Sequence, residues 1–227
     1  MRRLDEGVVW TAHELRGPLV AARAALDHLV AIGSHGQANP ELLRKTRDEL
    51  DHVLGFVDPL LRCAAGVAGP LSEVDLPELV REVVEDEVRR SATAGGRLRL
   101  SAPPFLLVEA DPDLLKIALS NLVRNSLSYS DEADPVLLSV ERNDSAALVR
   151  IEDRGPGVPE GDRDLIFEWG GRGGSVHRRP GHGLGLFITR RIVEAHGGTV
   201  RLGRSADGAD FWLELPLAAA EGESCAS

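Results

Sequence analysis

Apolar residues recur at helical spacing through the first part of the chain. Residues 4–32 predict a long amphipathic helix, and residues 41–65 predict a second one after the turn-rich stretch 33–40. The stripe on the first helix consists of Leu15, Leu19, Ala22, Leu26 and Leu29. Within one antiparallel hairpin each stripe covers only one partner helix, which leaves much apolar area in water. We therefore expect residues 1–66 to form a helical hairpin that pairs with a second copy as a four-helix bundle.

After this hairpin the spacing of the apolar residues changes. Stretches in which every second residue is apolar now occur between stretches at helical spacing. Residues 67–75 are predicted to be a hinge, with Asp75 as the N-cap of the next helix and Pro77 in its first turn. Helices are predicted at 76–91, 111–127 and 184–196, and strands at 97–101, 105–109, 136–142, 148–152, 199–204 and 210–215. A hairpin is expected at Asp207-Gly208.

This order of elements lacks the regular strand-helix-strand repeat of a doubly wound fold. It favours an α/β sandwich over residues 76–217, with a mixed sheet and the helices on one face. Residues 218–227 are small and polar, which is typical of a disordered tail. The whole chain is thus predicted to be of the α+β class, a helical hairpin followed by a sandwich domain.

The composition of the chain argues against some classes of binding partner. The chain carries 26 Lys and Arg against 36 Asp and Glu, a net charge of -10, so nucleic acid is not an expected partner. Only two cysteines occur, which provides neither a disulfide framework nor a thiolate metal site and fits a cytoplasmic location. No apolar run reaches the roughly 20 residues of a membrane span. No membrane contact is expected from this segment, although a membrane anchor upstream of it would leave the same sequence.

A first chemical signal follows the predicted strand 148–152. In Asp153-Arg154-Gly155-Pro156-Gly157, a carboxylate at a strand end can accept a hydrogen bond from an exocyclic amine, and the two glycines allow the backbone to pass close beneath a planar base. Taken alone, such a turn is more often a plain loop.

A second signal is the glycine-rich run 181–186, which leads directly into a helix. Backbone N–H groups at a helix N-terminus form a cradle for phosphate, here at Gly181, Gly183, Leu184 and Gly185. A dinucleotide-binding fold is excluded because no strand precedes this run. The basic, glycine-rich stretch 170–180 is either a lid over the cradle or a plain surface loop.

A third signal is a pair of amides one helical turn apart. Asn121 and Asn125 lie on the same face of the predicted helix 111–127. An Asn carbonyl oxygen suits Mg²⁺, which binds through few protein groups together with phosphates and water. By itself the pair could equally make local hydrogen bonds on a surface.

In combination and in this order, these motifs resemble the N, G1, F and G2 boxes of the histidine kinase ATPase fold that gyrase and Hsp90-type ATPases share. The residues that carry the resemblance are Asn121-Leu122-Val123-Arg124-Asn125, Asp153 to Gly157, Ile166-Phe167-Glu168 and Gly181 to Leu186. The resemblance implies an ATP site with Asp153 on the adenine amine and Asn125 on Mg²⁺. It further implies a pocket lined by Asn121, Tyr129, Gly155, Gly157, Gly183 and Gly185.

The chain departs from the family pattern near the phosphates. Ser128 stands where Lys or His is usual, Gly170 where a second aromatic is usual, and His182 where Ser or Thr is usual. We take Arg172, or the pair Arg178-Arg179, as the candidates that supply the lost positive charge. This hypothesis predicts that replacing all three with Ala weakens ATP binding.

His13 lies in the first predicted helix, in the string His13-Glu14-Leu15-Arg16-Gly17-Pro18. A lone helical His is usually solvated, but this string resembles the H box of histidine kinases, whose His accepts phosphate. The resemblance implies that His13 is the phosphoacceptor and Glu14 its general base. At about 100° per residue, His13 lies about 200° from Leu15 and faces away from the apolar stripe.

The resemblance also implies a response regulator as partner, onto whose Asp the phosphoryl group passes. Gly17 replaces the Thr or Asn that the family uses to orient water, so we expect weak or absent phosphatase activity towards the regulator. Rapid, ADP-dependent dephosphorylation by the purified chain would contradict this.

Three other classes of protein are considered. A gyrase-like or Hsp90-like ATPase would need a catalytic Glu on the Asn helix, and residues 114–127 contain no acid. An anti-sigma serine kinase would lack the hairpin with its H box. A catalytically weakened scaffold for ATP binding or phosphotransfer remains open.

Overall fold

The chain divides into two compact units, Met1–Val67 and Ala68–Ser227. The computed structural model describes residues 71–91, 93–169, 171, 184–203 and 207–218, together with 19, 22–24, 26 and 46. In the first unit the described residues are helical, with Leu19 and Leu26 half-buried and Ala22 exposed. The rest of the predicted hairpin lies outside the described residues, as does the predicted tail after Ala218. The hairpin, its pairing into a dimer and the disordered tail stay predictions.

The second unit is built on a five-stranded mixed sheet. Its elements in chain order are β1 (Ser72–Asp75), α1 (Leu76–Arg90), β2 (Leu98–Ser101), β3 (Leu107–Ala110), α2 (Pro112–Tyr129), β4 (Val136–Arg142), β5 (Ala146–Glu152), α3 (Gly185–Ala195), β6 (Thr199–Leu202) and β7 (Asp210–Pro216). The sheet has the order β2-β4-β5-β7-β6, with β2 and β4 parallel and the other pairs antiparallel. The predicted α/β sandwich with a mixed sheet is confirmed, as is the hairpin between β6 and β7.

The core lies between one face of this sheet and the helices. Alternate residues of the strands are buried, as in β5, where Ala147, Val149 and Ile151 are fully covered. Opposite them, α2 and α3 contribute buried Leu119, Leu122, Ile188 and Ile192. This period of two along the strands is the pattern of a sheet covered on one side only.

The second half of the predicted hinge 67–75 is a strand. Residues Ser72–Asp75 form β1 and pair antiparallel with β3. The physical reason is that Val74 has a matching partner in Val108, which is fully buried. Asp75 occupies the N-cap position of α1, but its side chain makes no capping bond and instead accepts from the N–H of Leu106 at 3.1 Å. The expectation of a capping side chain was therefore wrong.

His196 is the C-cap of α3 and is buried. Its Nε2 accepts from the N–H of Asp111 at 2.9 Å, and its Nδ1 lies 2.7 Å from the carbonyl oxygen of Ile192. The ring thus joins the end of α3 to Asp111, whose carboxylate caps α2 by accepting from the N–H groups of Asp113 and Leu114. This link fixes the spacing of the two helices that carry the candidate site residues.

The open face of the sheet is covered by its own charged and aromatic side chains. Asp210 is 1% exposed and accepts two hydrogen bonds from Arg150, at 2.7 and 2.9 Å. Trp212 of β7 is paired with Arg150 on β5 and with Arg201 on β6, and both guanidinium groups lie over its ring. The hydrogen bonds to Asp210 raise the pKa of the Arg150 guanidinium above its usual value. The Arg150–Asp210 pair therefore links β5 to β7.

We expect Arg150→Met to destabilise the second unit by about 2 kcal/mol, because it leaves the buried carboxylate of Asp210 without its partner. Urea unfolding measures this. Arg142→Met, an exposed arginine on β4, is the matched control and should change stability by less than about 0.5 kcal/mol. Equal stability of the two variants would contradict this description of the pair.

Candidate active site

Asp153 lies directly after β5 and is 2% exposed. Its Oδ1 accepts from the N–H of Gly155 at 2.9 Å and from the N–H of Ala209 at 3.1 Å. Its Oδ2 is equally buried but has no hydrogen-bond partner among the described residues. A buried carboxylate oxygen without a donor is costly, so this atom is a ready acceptor for a donor from a bound molecule.

Three stretches of backbone approach each other beside Asp153 at glycine positions. A Cβ on Gly155 would lie 2.7 Å from the carbonyl oxygen of Tyr129. Gly157 has φ +70°, and a Cβ there would lie 2.9 Å from the carbonyl oxygen of Gly208. Both contacts are shorter than side chains allow, so only glycine permits this packing. The turn after Asp153 is thereby held close to both α2 and the β6–β7 connection.

The two amides on α2 have different surroundings. The Nδ2 of Asn121 donates to the carbonyl oxygen of Gly185 at 3.3 Å, which joins α2 to the first residue of α3. Asn125, one turn further on, is half-buried, and its side chain makes no hydrogen bond in the part of the chain that the structure describes. Tyr129, also half-buried, is the last residue of α2. Asn125 is therefore the amide that is free to bind a ligand.

The first turn of α3 is fixed by a side chain from the helix itself. Leu184 is the N-cap and has no capping side chain, and Gly185 opens the helix. The hydroxyl of Thr189, which is fully buried, lies 2.9 Å from the carbonyl oxygen of Gly185. The N–H groups of a first turn have no partner within the helix, and the helix dipole is positive there. This end of α3 can therefore bind an anion.

The F-box segment packs against the sheet and α3. Ile166 and Phe167 are buried, and the Phe167 ring meets Phe211 edge-on with ring centres 6.5 Å apart. Trp169 meets Phe187 of α3 in the same manner at 5.4 Å. This tryptophan stands one position before Gly170, where the family's second aromatic is absent. Ser128, the other departure near the phosphates, is exposed.

Contacts join several of the predicted site residues that the structure describes: Asn121 meets Gly185, and Gly155 meets both Tyr129 and Asp153. The others are placed by their neighbours in the chain, Asn125 on α2, Gly157 in the turn after Asp153 and Leu184 at the N-cap of α3. Their role in a site stays a prediction. The remaining predicted ones lie outside the described residues and stay predictions, namely His13, Glu14, Arg172, Gly181 and Gly183.

Three contributors to the site were not predicted. Ala209 contributes its backbone N–H to Asp153, Gly208 contributes a close backbone approach, and Thr189 holds Gly185. Asp207-Gly208 was interpreted only as a hairpin turn. The proximity of that turn to Asp153 follows from the pairing of β5 with β7, which no local pattern reveals.

Comparisons with known proteins agree with this geometry. Residues 110–219 match the family described as histidine kinase-, DNA gyrase B- and HSP90-like ATPase. The chain is 32% identical over 226 residues to the adaptive-response sensory kinase SasA of Synechococcus sp. strain JA-2-3B'a(2-13), covering 94% of this chain and 59% of that protein. It is 29% identical over 212 residues to the sensor-like histidine kinase SenX3 of Mycobacterium tuberculosis, covering 90% of this chain and 52% of that one. The chain therefore spans less than two thirds of these relatives.

The chain is also similar to solved structures. Full-length ShkA in complex with AMPPNP is similar with a TM-score of 0.72 and 30% identity, over 95% of this chain and 46% of that one. The mycobacterial sensor histidine kinase MprB is similar with a TM-score of 0.59 and 28% identity, over 64% of this chain and 98% of that one. Among the described residues, no helix is both long and apolar enough to cross a bilayer.

Proposed function

We propose that the chain is an ATP-dependent protein histidine kinase, because residues 110–219 match the histidine kinase-, DNA gyrase B- and HSP90-like ATPase family and the chain is similar to sensor histidine kinases along most of its length. In this proposal the chain phosphorylates His13 and passes the phosphoryl group to an Asp of a response regulator. The observation that carries the nucleotide part is the buried Oδ2 of Asp153, which has no partner among the described residues.

The residues present fit an adenine nucleotide. Asp153 Oδ2 would accept from the adenine amine, while Oδ1 is held by two backbone N–H groups and so cannot turn away. Gly155 and Gly157 leave no side chain between the base and the backbone turn. Leu184 and Gly185 would present the first turn of α3 to the phosphates, with Gly181, Gly183 and Arg172 contributing from outside the described residues. The AMPPNP complex of ShkA supports this assignment.

Asn125 is the proposed protein ligand of Mg²⁺. Its amide makes no hydrogen bond within the described residues, so its carbonyl oxygen can turn towards a cation. Among those residues no group of three His, Cys, Asp or Glu side chains could hold a metal. That pattern is compatible with Mg²⁺ bound through one amide oxygen, nucleotide phosphates and water.

His13 and Glu14 carry the transfer chemistry. Bound ATP with Mg²⁺ would supply the γ-phosphoryl group, with ADP as the leaving group. The carboxylate of Glu14 would accept the Nδ1–H of His13, which fixes the neutral tautomer and leaves the lone pair on Nε2 as the nucleophile. Little further covalent assistance is needed, because loose phosphoryl transfer depends mainly on positioning and charge neutralisation. This description rests on the sequence of the first unit.

The partners follow from the same proposal. The chain would form a homodimer through the hairpin and would donate its phosphoryl group to a receiver domain in the cytoplasm. Gly17 lacks a side chain that could orient water, so the output is kinase and phosphotransfer activity with little phosphatase activity. The alternative, a catalytically weakened scaffold, would bind ATP without phosphorylating His13.

We expect Asn125→Ala to lower the rate of Mg²⁺-dependent autophosphorylation at least 100-fold, because the metal loses its only proposed protein ligand. Affinity for ATP measured in EDTA should change less than threefold, since the base contacts are intact. Asn143→Ala is the matched control: its Oδ1 accepts from backbone N–H groups in the β4–β5 turn, away from the proposed metal site. An Asn125→Ala variant as active as the control would remove Asn125 from the metal site.

A further inference from the structure

Arg97, the residue just before β2, is a buried guanidinium with no carboxylate partner among the described residues. It is 6% exposed. Nε donates to the carbonyl oxygen of Asp134 at 2.9 Å, Nη1 to that of Leu127 at 3.1 Å, and Nη2 to the hydroxyl of Ser130 at 2.6 Å. A buried cation is costly unless it is neutralised or fully hydrogen-bonded. All three nitrogens of this guanidinium are used.

Two of the three acceptors, Leu127 and Ser130, lie at the C-terminal end of α2, and the third, Asp134, lies in the loop that follows. That end carries partial negative charge, and α2 has no basic residue in its last turn. Leu127 belongs to the last turn, and Ser130, the C-cap, also donates from its hydroxyl to the carbonyl oxygen of Ser126 at 2.5 Å. Arg97 therefore supplies from another element the positive charge that the helix lacks.

This end of α2 is also the support of the turn after Asp153. Tyr129 lies between Leu127 and Ser130, and its carbonyl oxygen would be 2.7 Å from a Cβ on Gly155. The N–H of Gly155 in turn donates to Oδ1 of Asp153. A small displacement of the last turn of α2 is thus transmitted to the carboxylate.

From these contacts we propose that Arg97 is a positioning residue for the base-binding end of the nucleotide site. The inference rests on the proposed function, since it concerns the same ATP site. Arg97 touches no nucleotide. It holds the last turn of α2 at the place where Gly155 rests on it, and so sets the direction of Asp153 Oδ2. Lysine cannot replace it, because one ammonium cannot reach three acceptors that surround a planar fork.

The test uses Arg97→Lys in the full chain, with Arg99→Lys as the matched control. Arg99, the second residue of β2, is exposed, and within the described residues its guanidinium donates a hydrogen bond only to the carbonyl oxygen of its neighbour Leu98. Affinities for ATP and GTP are measured at a temperature where circular dichroism shows both variants folded. The ratio of the two affinities reports base recognition, and general destabilisation would lower both affinities alike.

We expect Arg97→Lys to weaken ATP binding at least tenfold and to reduce the preference for ATP over GTP at least fivefold, with Arg99→Lys unchanged. Ser130→Ala, which removes one acceptor, should shift the preference in the same direction and serves if Arg97→Lys does not fold. An unchanged ratio in the folded variants would overturn the inference while leaving the kinase proposal intact. Failure of the unsubstituted chain to bind ATP would overturn both.

Discussion

Asp153→Asn should weaken ATP binding about 100-fold, equivalent to about 2.7 kcal/mol. The amide oxygen will keep the place of Oδ1, because the N–H groups of Gly155 and Ala209 both donate to it. The amide nitrogen must then stand where Oδ2 is now. It would direct its own hydrogens at the adenine amine, so a buried acceptor becomes a donor facing a donor. Isothermal titration calorimetry with ATP measures the loss.

The same substitution should favour a different base. Guanine carries a carbonyl oxygen where adenine carries its amine, so the new amide can donate to it. We expect the preference of Asp153→Asn for ATP over GTP to fall below that of the unsubstituted chain. Glu152→Gln is the control, because this neighbouring carboxylate lies on the opposite face of β5 and pairs with Arg150. Undiminished ATP binding by Asp153→Asn would show that the base lies elsewhere.

Gly208→Ala should destabilise the second unit by at least about 3 kcal/mol. Gly208 has φ +104°, and a Cβ there would lie 1.9 Å from the carbonyl oxygen of Asp153. That oxygen belongs to the backbone and cannot rotate away, so the β6–β7 connection must separate from the turn after Asp153. The N–H of Ala209 would then leave Oδ1, and ATP affinity should fall with stability.

Urea unfolding and ATP titration check this prediction together. Gly161→Ala is the matched control, since no heavy atom lies within 4 Å of a Cβ at that position. It should change stability by less than about 0.5 kcal/mol. If Gly208→Ala unfolds at the same urea concentration as Gly161→Ala, the close approach described for Gly208 is wrong.

Secondary structure is predicted correctly from the sequence where the local pattern of apolar and polar residues determines it. The alternation of apolar and polar residues in 136–142 gives the strand Val136–Arg142 with both ends in place. The order of predicted strands and helices favours the sandwich fold, and the resemblance carried by the Asn pair, the Asp153 turn and the glycine run implies the same fold. The predicted elements depend on side-chain period and turn chemistry, which neighbours along the chain determine.

Long-range contacts were not predictable in the same way. Asp75 has the residue type and position of a helix cap, yet its carboxylate accepts from Leu106, which only the folded chain brings near. Residues Ser72–Asp75 have the composition of a linker, and only a partner strand 35 residues away makes them a strand. Arg97 gives no signal in sequence, because its acceptors come from α2 and from the loop that follows it.

The central claim is that this ATP site phosphorylates His13, and one measurement tests it most directly. The chain is incubated with ATP labelled on the γ-phosphate and with Mg²⁺, and the labelled residue is identified by mass spectrometry at alkaline pH. We expect acid-labile label on His13, abolished in His13→Gln and strongly reduced in Asp153→Asn at an ATP concentration near the dissociation constant of the unsubstituted chain. The label should be retained in His52→Gln, which changes a histidine of the second predicted helix, outside the H-box string. Label that survives in His13→Gln, or that is stable in acid, would contradict the claim.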